Sequence, residues 1–289
     1  MNQAQAGNGI EIALPAAGGD RRPIGVFDSG VGGLTVLREI RRRLPDESTI
    51  YLADLQHFPY GPRDPEEVRG FAFDIVRYLQ SRDVKLVVIA CNTATAAALH
   101  QAREVFDVPL VGVISPGAQA AVEATRKGLI GVISTEGTMA SQEYLHAIKE
   151  MDPTIGVFQK ACPELVSIVE AGDADTPRAE RVLRQDLEEI VRLSADVLVL
   201  GCTHYPLLKP AIERVYPGAF NLVDSADTTA AKVARMLAHS RMAAAPGEPW
   251  HEVVGTGRLD RFDEVASILF DGEVGGAREV DLWPKAPTT

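Results

Sequence analysis

The sequence predicts an α/β fold of two pseudo-symmetric, doubly wound domains with parallel-rich sheets, with an active site in the cleft between them. Three observations carry this. Short unbroken apolar runs alternate with segments of helical period along most of the chain, as in strand-helix units whose sheets are covered on both faces. Two runs end alike, in Leu86-Val87-Val88-Ile89-Ala90-Cys91-Asn92-Thr93 and in Val197-Leu198-Val199-Leu200-Gly201-Cys202-Thr203-His204. The halves also echo each other: Ile24-Gly25-Val26-Phe27 matches Ile130-Gly131-Val132-Ile133, and Cys91 and Cys202 follow at similar spacings.

Taken in order, residues 24–27 form a strand that enters Asp28-Ser29-Gly30-Val31-Gly32-Gly33 and then a helix over 34–44. Residues 49–53 are the next strand, and Pro and Gly make Phe58-Pro59-Tyr60-Gly61-Pro62 a loop. A helical period covers 66–82. Residues 85–90 are the strand ending at Cys91, 94–106 an Ala-rich helix, and 110–114 another strand. In the second half, 129–133 is a strand followed by Ser134-Thr135-Glu136-Gly137-Thr138, and 141–150 is a helix. Residues 155–158 are a short strand, 178–194 a helix, and 197–200 the strand ending at Cys202. Residues 228–240 are helical, 245–249 a Pro/Gly break, and Val253-Val254-Gly255 an apolar stretch. The expected division is a flexible tail over 1–22, a first domain of 23–115 plus 225–289, and a second of 116–224.

Composition narrows the function. A chain of 289 residues suits two compact domains, and 46% apolar with 24% charged residues is ordinary for a soluble globular protein. No apolar run approaches the roughly 18 residues of a membrane span, and the first 20 residues lack a secretory signal pattern. Three cysteines are an odd set in strand-end settings, which points to a reducing cytoplasm. A net charge of −11 argues against a nucleic-acid surface, and Arg38, Arg41, Arg42 and Arg43 read as a solvated helix face. No CxxC, HExxH or Walker loop is present, so metal, dithiol and nucleotide readings start weak.

A cysteine at one strand end is ordinarily a small buried hydrophobe. Two at matching strand ends suggest thiols facing each other across one substrate. Inverting a carbon needs a base on one face and an acid on the other, and two like groups serve both directions. A thiol acts as a base only as a thiolate, and helix amino termini after Asn92-Thr93 and Thr203 are expected to lower its pKa. The same amides and hydroxyls suit substrate carboxylates. Asp28-Ser29-Gly30 and Tyr60-Gly61 offer further places of this kind, although the first also reads as a simple helix cap. Gly30, Gly32 and Gly33 lack the dinucleotide spacing. Cys162 reads as structural, His57 as solvated, and Ser115 carries no role.

The chain resembles glutamate racemases of the cofactor-independent aspartate/glutamate racemase superfamily from about Ile24 to Ala226. The resemblance rests on Phe27-Asp28-Ser29-Gly30-Val31-Gly32-Gly33-Leu34, Phe58-Pro59-Tyr60-Gly61, Ala90-Cys91-Asn92-Thr93-Ala94, Gly201-Cys202-Thr203-His204-Tyr205-Pro206-Leu207-Leu208 and Leu222-Val223-Asp224-Ser225. It implies that Cys91 takes the proton from D-glutamate and Cys202 from L-glutamate. Asp28-Ser29, Tyr60-Gly61, Asn92-Thr93 and Thr203-His204 would bind substrate. Asp28 and Asp54 would assist Cys91; His204 and Glu170 would assist Cys202. It further implies no metal or pyridoxal phosphate, a homodimer, and a role in supplying D-glutamate for peptidoglycan. On the residues alone three alternatives stay open: an isomerase of aspartate or a hydantoin, a one-cysteine thiol amidase, and a two-lobed binding protein without catalysis.

Overall fold

The computed structural model describes residues 19–257, 259–270 and 276–283; residues 1–18 of the expected tail lie outside them. The chain runs β1 (Ile24–Asp28), α1 (Leu34–Arg43), β2 (Thr49–Asp54), α2 (Pro65–Ser81), β3 (Leu86–Ile89), α3 (Asn92–Val105), β4 (Leu110–Gly112) and α4 (Ile114–Ala124). It continues through β5 (Leu129–Ser134), α5 (Glu136–Ser141), α6 (Glu143–Met151), β6 (Gly156–Ala161), α7 (Glu164–Glu170), α8 (Pro177–Arg192) and β7 (Val197–Gly201). After a 3₁₀ turn at Tyr205–Leu208 come α9 (Lys209–Val215), β8 (Asn221–Asp224), α10 (Ser225–Ser240), β9 (His251–Thr256), α11 (Leu259–Phe270) and β10 (Arg278–Glu279).

The strands form a six-stranded sheet, β10-β9-β2-β1-β3-β4, and a four-stranded sheet, β6-β5-β7-β8, with every pairing parallel. Within each sheet the same relative order appears: second, first, third, fourth strand. That shared order is the pseudo-symmetry, and it places each cysteine after the third strand, beside the end of the first. Phe27 is paired with Ile89, and Ser134 with Gly201. Chain order reverses at that point in an open α/β sheet, which leaves a crevice at the strands' carboxyl ends.

Both faces of each sheet are covered. Val26, Leu37, Ile40, Val88 and Val233 pack on one side of the larger sheet, and Phe27, Ile75, Leu79, Ile89 and Ala98 on the other. In the smaller sheet Leu183, Leu187, Ile190 and Leu200 oppose Ile130, Val132, Ile148 and Val199. This explains why the strands read as continuous apolar runs rather than alternating ones. Local chemistry sets the helix starts. Asp64 caps α2 by accepting from Glu66 N at 2.8 Å, with Pro65 as the first helical residue, and Asp224 caps α10 by accepting from Ala226 N at 2.9 Å.

Two sequence expectations shift. The strand expected over 110–114 ends at Gly112, where a Cβ would lie 2.5 Å from Thr95 Cγ2, and Ile114 already opens α4. Pro116 is tolerated there because the first helical turn leaves backbone N–H groups without partners in any case. The basic face of α1 is only partly solvated: Arg41 Nε donates to Thr49 Oγ1 at 3.1 Å, and Arg43 Nη2 reaches Asp227 of α10 at 2.7 Å. Among the described residues no helix is long and apolar enough to cross a membrane.

Candidate active site

Cys91 ends the β3 crossover and occupies the N-cap of α3, where its Sγ accepts from Ala94 N at 3.4 Å. The thiol donates to Ser29 Oγ at 3.8 Å. Asp28, fully buried at the end of β1, accepts from Gly30 N at 3.0 Å and from Thr203 Oγ1 at 3.4 Å. That second bond crosses from the larger sheet to the Cys202 segment. Asn92 follows Cys91, buried, with Oδ1 accepting from Tyr144 Oη at 2.8 Å. Thr93 Oγ1 lies 2.9 Å from Thr135 Oγ1, another link between the two sheets.

On the opposite side Cys202 leaves β7, and the 3₁₀ turn begins three residues later, so no α-helix amino terminus backs this thiol. His204 Nδ1 stands 3.8 Å from Cys202 Sγ, and Nε2 is 3.2 Å from Glu170 Oε1. The glycine stretch after β1 allows this approach. A Cβ on Gly32 would sit 2.4 Å from Thr203 Oγ1 and 2.6 Å from His204 Nδ1; one on Gly33 would sit 2.5 Å from Asp28 Cβ. Gly32 serves the contact between lobes and Gly33 makes room for Asp28 and Tyr51 within the larger-sheet lobe, and no phosphate loop is needed to explain them.

Cys91 and Cys202 line one cavity together with Ser29, Tyr60, Gly61, Asn92, Thr93, Thr135, Thr203 and His204. Its volume is about 30 Å³, room for a single water and far less than an amino acid needs. Beside it lies a hollow of about 610 Å³ that shares Phe58, Pro59, Gly61, Thr135 and Val166 with it. The space between the two cysteine segments is therefore too small for an amino acid, and the larger hollow adjoins it along that shared wall.

Electrostatics correct one expectation. Burial, and then the nearby Asp28 charge, push the Cys91 thiol up to about 12, outweighing the Ala94 N–H and the helix amino terminus that would lower it. Burial likewise raises Asp28, against the pull of His204 and of its hydrogen bonds. For His204, burial works against the charge, but the bonds to Cys202 and Glu170 hold the imidazolium up to about 10. Glu170 and a Cys202 thiolate thus both favour the charged form of the ring.

Not every predicted residue meets the cavity directly. Asp54 is buried and accepts from Tyr60 Oη at 2.5 Å, Thr256 Oγ1 at 2.6 Å and His57 Nδ1 at 2.9 Å. It holds the Phe58–Gly61 loop in place, and the Tyr60 hydroxyl faces Asp54. His57 is not solvated as expected: its ring stacks on Phe71 at 3.8 Å and meets Trp283 edge-on at 4.5 Å. Glu170 enters through His204. Cys162 is buried, and its thiol is pushed up by that burial. Among the described residues no group of three or more His, Cys, Asp or Glu is arranged to hold a metal ion. Sequence reasoning missed Thr135 and Tyr144. Thr135 was legible in outline, since Ser134-Thr135-Glu136-Gly137-Thr138 stands after β5 where Asp28-Ser29 stands after β1.

The model of the Asp/Glu/Hydantoin racemase family matches residues 24–233. The chain belongs to that family. It is 43% identical over 247 residues to a glutamate racemase of Listeria innocua, covering 85% of this chain and 93% of the relative. The crystal structure of a Bacillus anthracis glutamate racemase superposes with a TM-score of 0.85 at 40% identity, covering 90% of this chain and 97% of that one. A Francisella tularensis glutamate racemase in complex with D-glutamate gives 0.85 at 30% identity, covering 91% and 98%.

Proposed function

We propose that this chain interconverts L- and D-glutamate by moving the α-proton between Cys91 and Cys202, one thiol on each face of the carbon. The observation that carries the reading is a cavity lined by both sulfur-bearing residues. The glutamate racemases at 43% and 40% identity over most of the chain support glutamate as substrate ahead of aspartate or a hydantoin. The family's role in supplying D-glutamate for peptidoglycan, a cytoplasmic location and a homodimeric state belong to the same reading. So does the division into 23–115 plus 225–289 against 116–224, supported by the strand membership of the two sheets.

In this reading Cys91 deprotonates D-glutamate and Cys202 deprotonates L-glutamate. A thiol held up to about 12 is scarcely ionised when the site is empty, but the substrate brings its own α-ammonium, a cation that favours the thiolate. Asp28, buried between the two cysteine segments, pairs with that ammonium. The amino terminus of α3 with Asn92 and Thr93, and Thr203 opposite, receive the carboxylates. His204, charged and braced by Glu170, offsets the negative charge that develops on the carbon and on Cys202.

Racemisation in D₂O tests the reading first. The carbon receives its new proton from the thiol that has exchanged with solvent, so the inverted product carries deuterium at the α-carbon, read by NMR. Formation of unlabelled product, or release of ammonia, overturns it. A pH profile tests His204. Its charge is present below about 10 and lost above, so kcat/KM holds on the neutral side and falls about tenfold per pH unit beyond that point. His204→Asn lowers the plateau on the neutral side; the substrate α-ammonium also deprotonates at alkaline pH, so the plateau is the readout, and an unchanged plateau in that variant contradicts the assignment.

A further inference from the structure

Asn92 Nδ2 is buried at the cavity and has no hydrogen-bond partner among the described residues. An unsatisfied buried donor is costly, so its orientation must be imposed by something else. The amide's other end shows what imposes it. Tyr144 Oη donates to Asn92 Oδ1 at 2.8 Å. A phenol has one proton. That proton goes to Asn92 Oδ1, so the amide nitrogen of this cavity-lining residue is left without a partner among the described residues.

The ring of Tyr144 is itself built in. It is fully buried on α6, and a Cβ on Gly201, the residue before Cys202, would lie 3.0 Å from its Cε2. A Cβ on Gly117 of α4 would lie 3.3 Å from its hydroxyl. Thus one rigid side chain from the smaller-sheet lobe passes behind Cys202 and ends on the residue after Cys91.

We propose that Tyr144 is a positioning residue: it turns the Asn92 amide so that its N–H groups receive a substrate carboxylate. The inference rests on the reading of the site given above. Tyr144→Phe keeps the ring and removes only the hydroxyl. We expect KM for both glutamate enantiomers to rise about tenfold, the worth of one poorly oriented hydrogen bond, while kcat changes less than about twofold. The melting temperature falls by no more than about 4 °C.

A double-mutant cycle with Asn92→Ala separates this from a packing effect. The double variant is expected to have the same KM as Asn92→Ala alone, within about twofold, because the hydroxyl acts only through that amide. Unchanged KM in Tyr144→Phe, or losses that multiply in the double variant, overturn the proposal. Racemisation by the unsubstituted chain is the reference measurement. Its absence overturns the functional reading and this inference with it; activity with an unchanged KM in Tyr144→Phe overturns this inference alone.

Discussion

Cys91→Ala and Cys202→Ala each lower kcat/KM for racemisation by at least about 10³-fold, in both directions, with the fold retained. The magnitude is that of losing the acid-base group at the reacting carbon. Loss in both directions follows from thermodynamics. L- and D-glutamate have equal free energies, so the ratio of the two kcat/KM values is one whatever the enzyme. Removing the acid on one face therefore costs as much as removing the base on the other. Circular dichroism of glutamate solutions reads each direction separately. Either variant keeping activity near that of the unsubstituted chain would show that a single thiol suffices and would return the amidase reading to contention. Both cysteines are small and buried beside polar groups, so alanine leaves little cavity, and stability is expected to change modestly.

Gly32→Ala is the second large effect. The added methyl meets Thr203 Oγ1 at 2.4 Å and His204 Nδ1 at 2.6 Å, distances no Cβ tolerates. The Thr203 hydroxyl and the His204 ring must shift, which disturbs the Thr203–Asp28 bond and the His204–Cys202 contact. Displacing catalytic groups by about 1 Å costs on the order of 100-fold, and that loss in kcat/KM is expected here. Gly70→Ala is the matched control. Gly70 lies on the exposed side of α2, and a methyl added there meets nothing within 4 Å, so alanine relieves the entropy cost of a helical glycine. That variant should keep full activity and melt slightly higher. Equal activity in the two variants would remove the claim that Gly32 exists for the approach of the lobes.

Much of this site was readable from residue order. Parallel strands covered on both faces leave unbroken apolar runs, so the ends of β3 and β7, and with them Cys91 and Cys202, stood out. The Asp28 and Tyr60-Gly61 segments were legible as strand-end and turn chemistry. Other parts were not. α4 opens at Ile114, which reads from the sequence as the end of a strand over 110–114; Pro116 is harmless in a first turn and Gly117 makes room for Tyr144. His57 read as solvated because its partners, Phe71 and Trp283, lie far along the chain. Asp54 was expected to assist Cys91, and its bonds to Tyr60, His57 and Thr256 show a carboxylate that anchors a loop.

The order of residues by itself determined the strand-helix alternation, the matched pair of thiols and the polar groups beside them, because each depends on neighbours a few positions apart. Only the tertiary structure decided the ionisation of Cys91 and His204, the closeness of the lobes at Gly32, and the orientation of Asn92. Those depend on burial and on contacts between segments as far apart as Asp28 and Thr203, and dehydration of a thiol by a distant strand leaves no local mark in the chain.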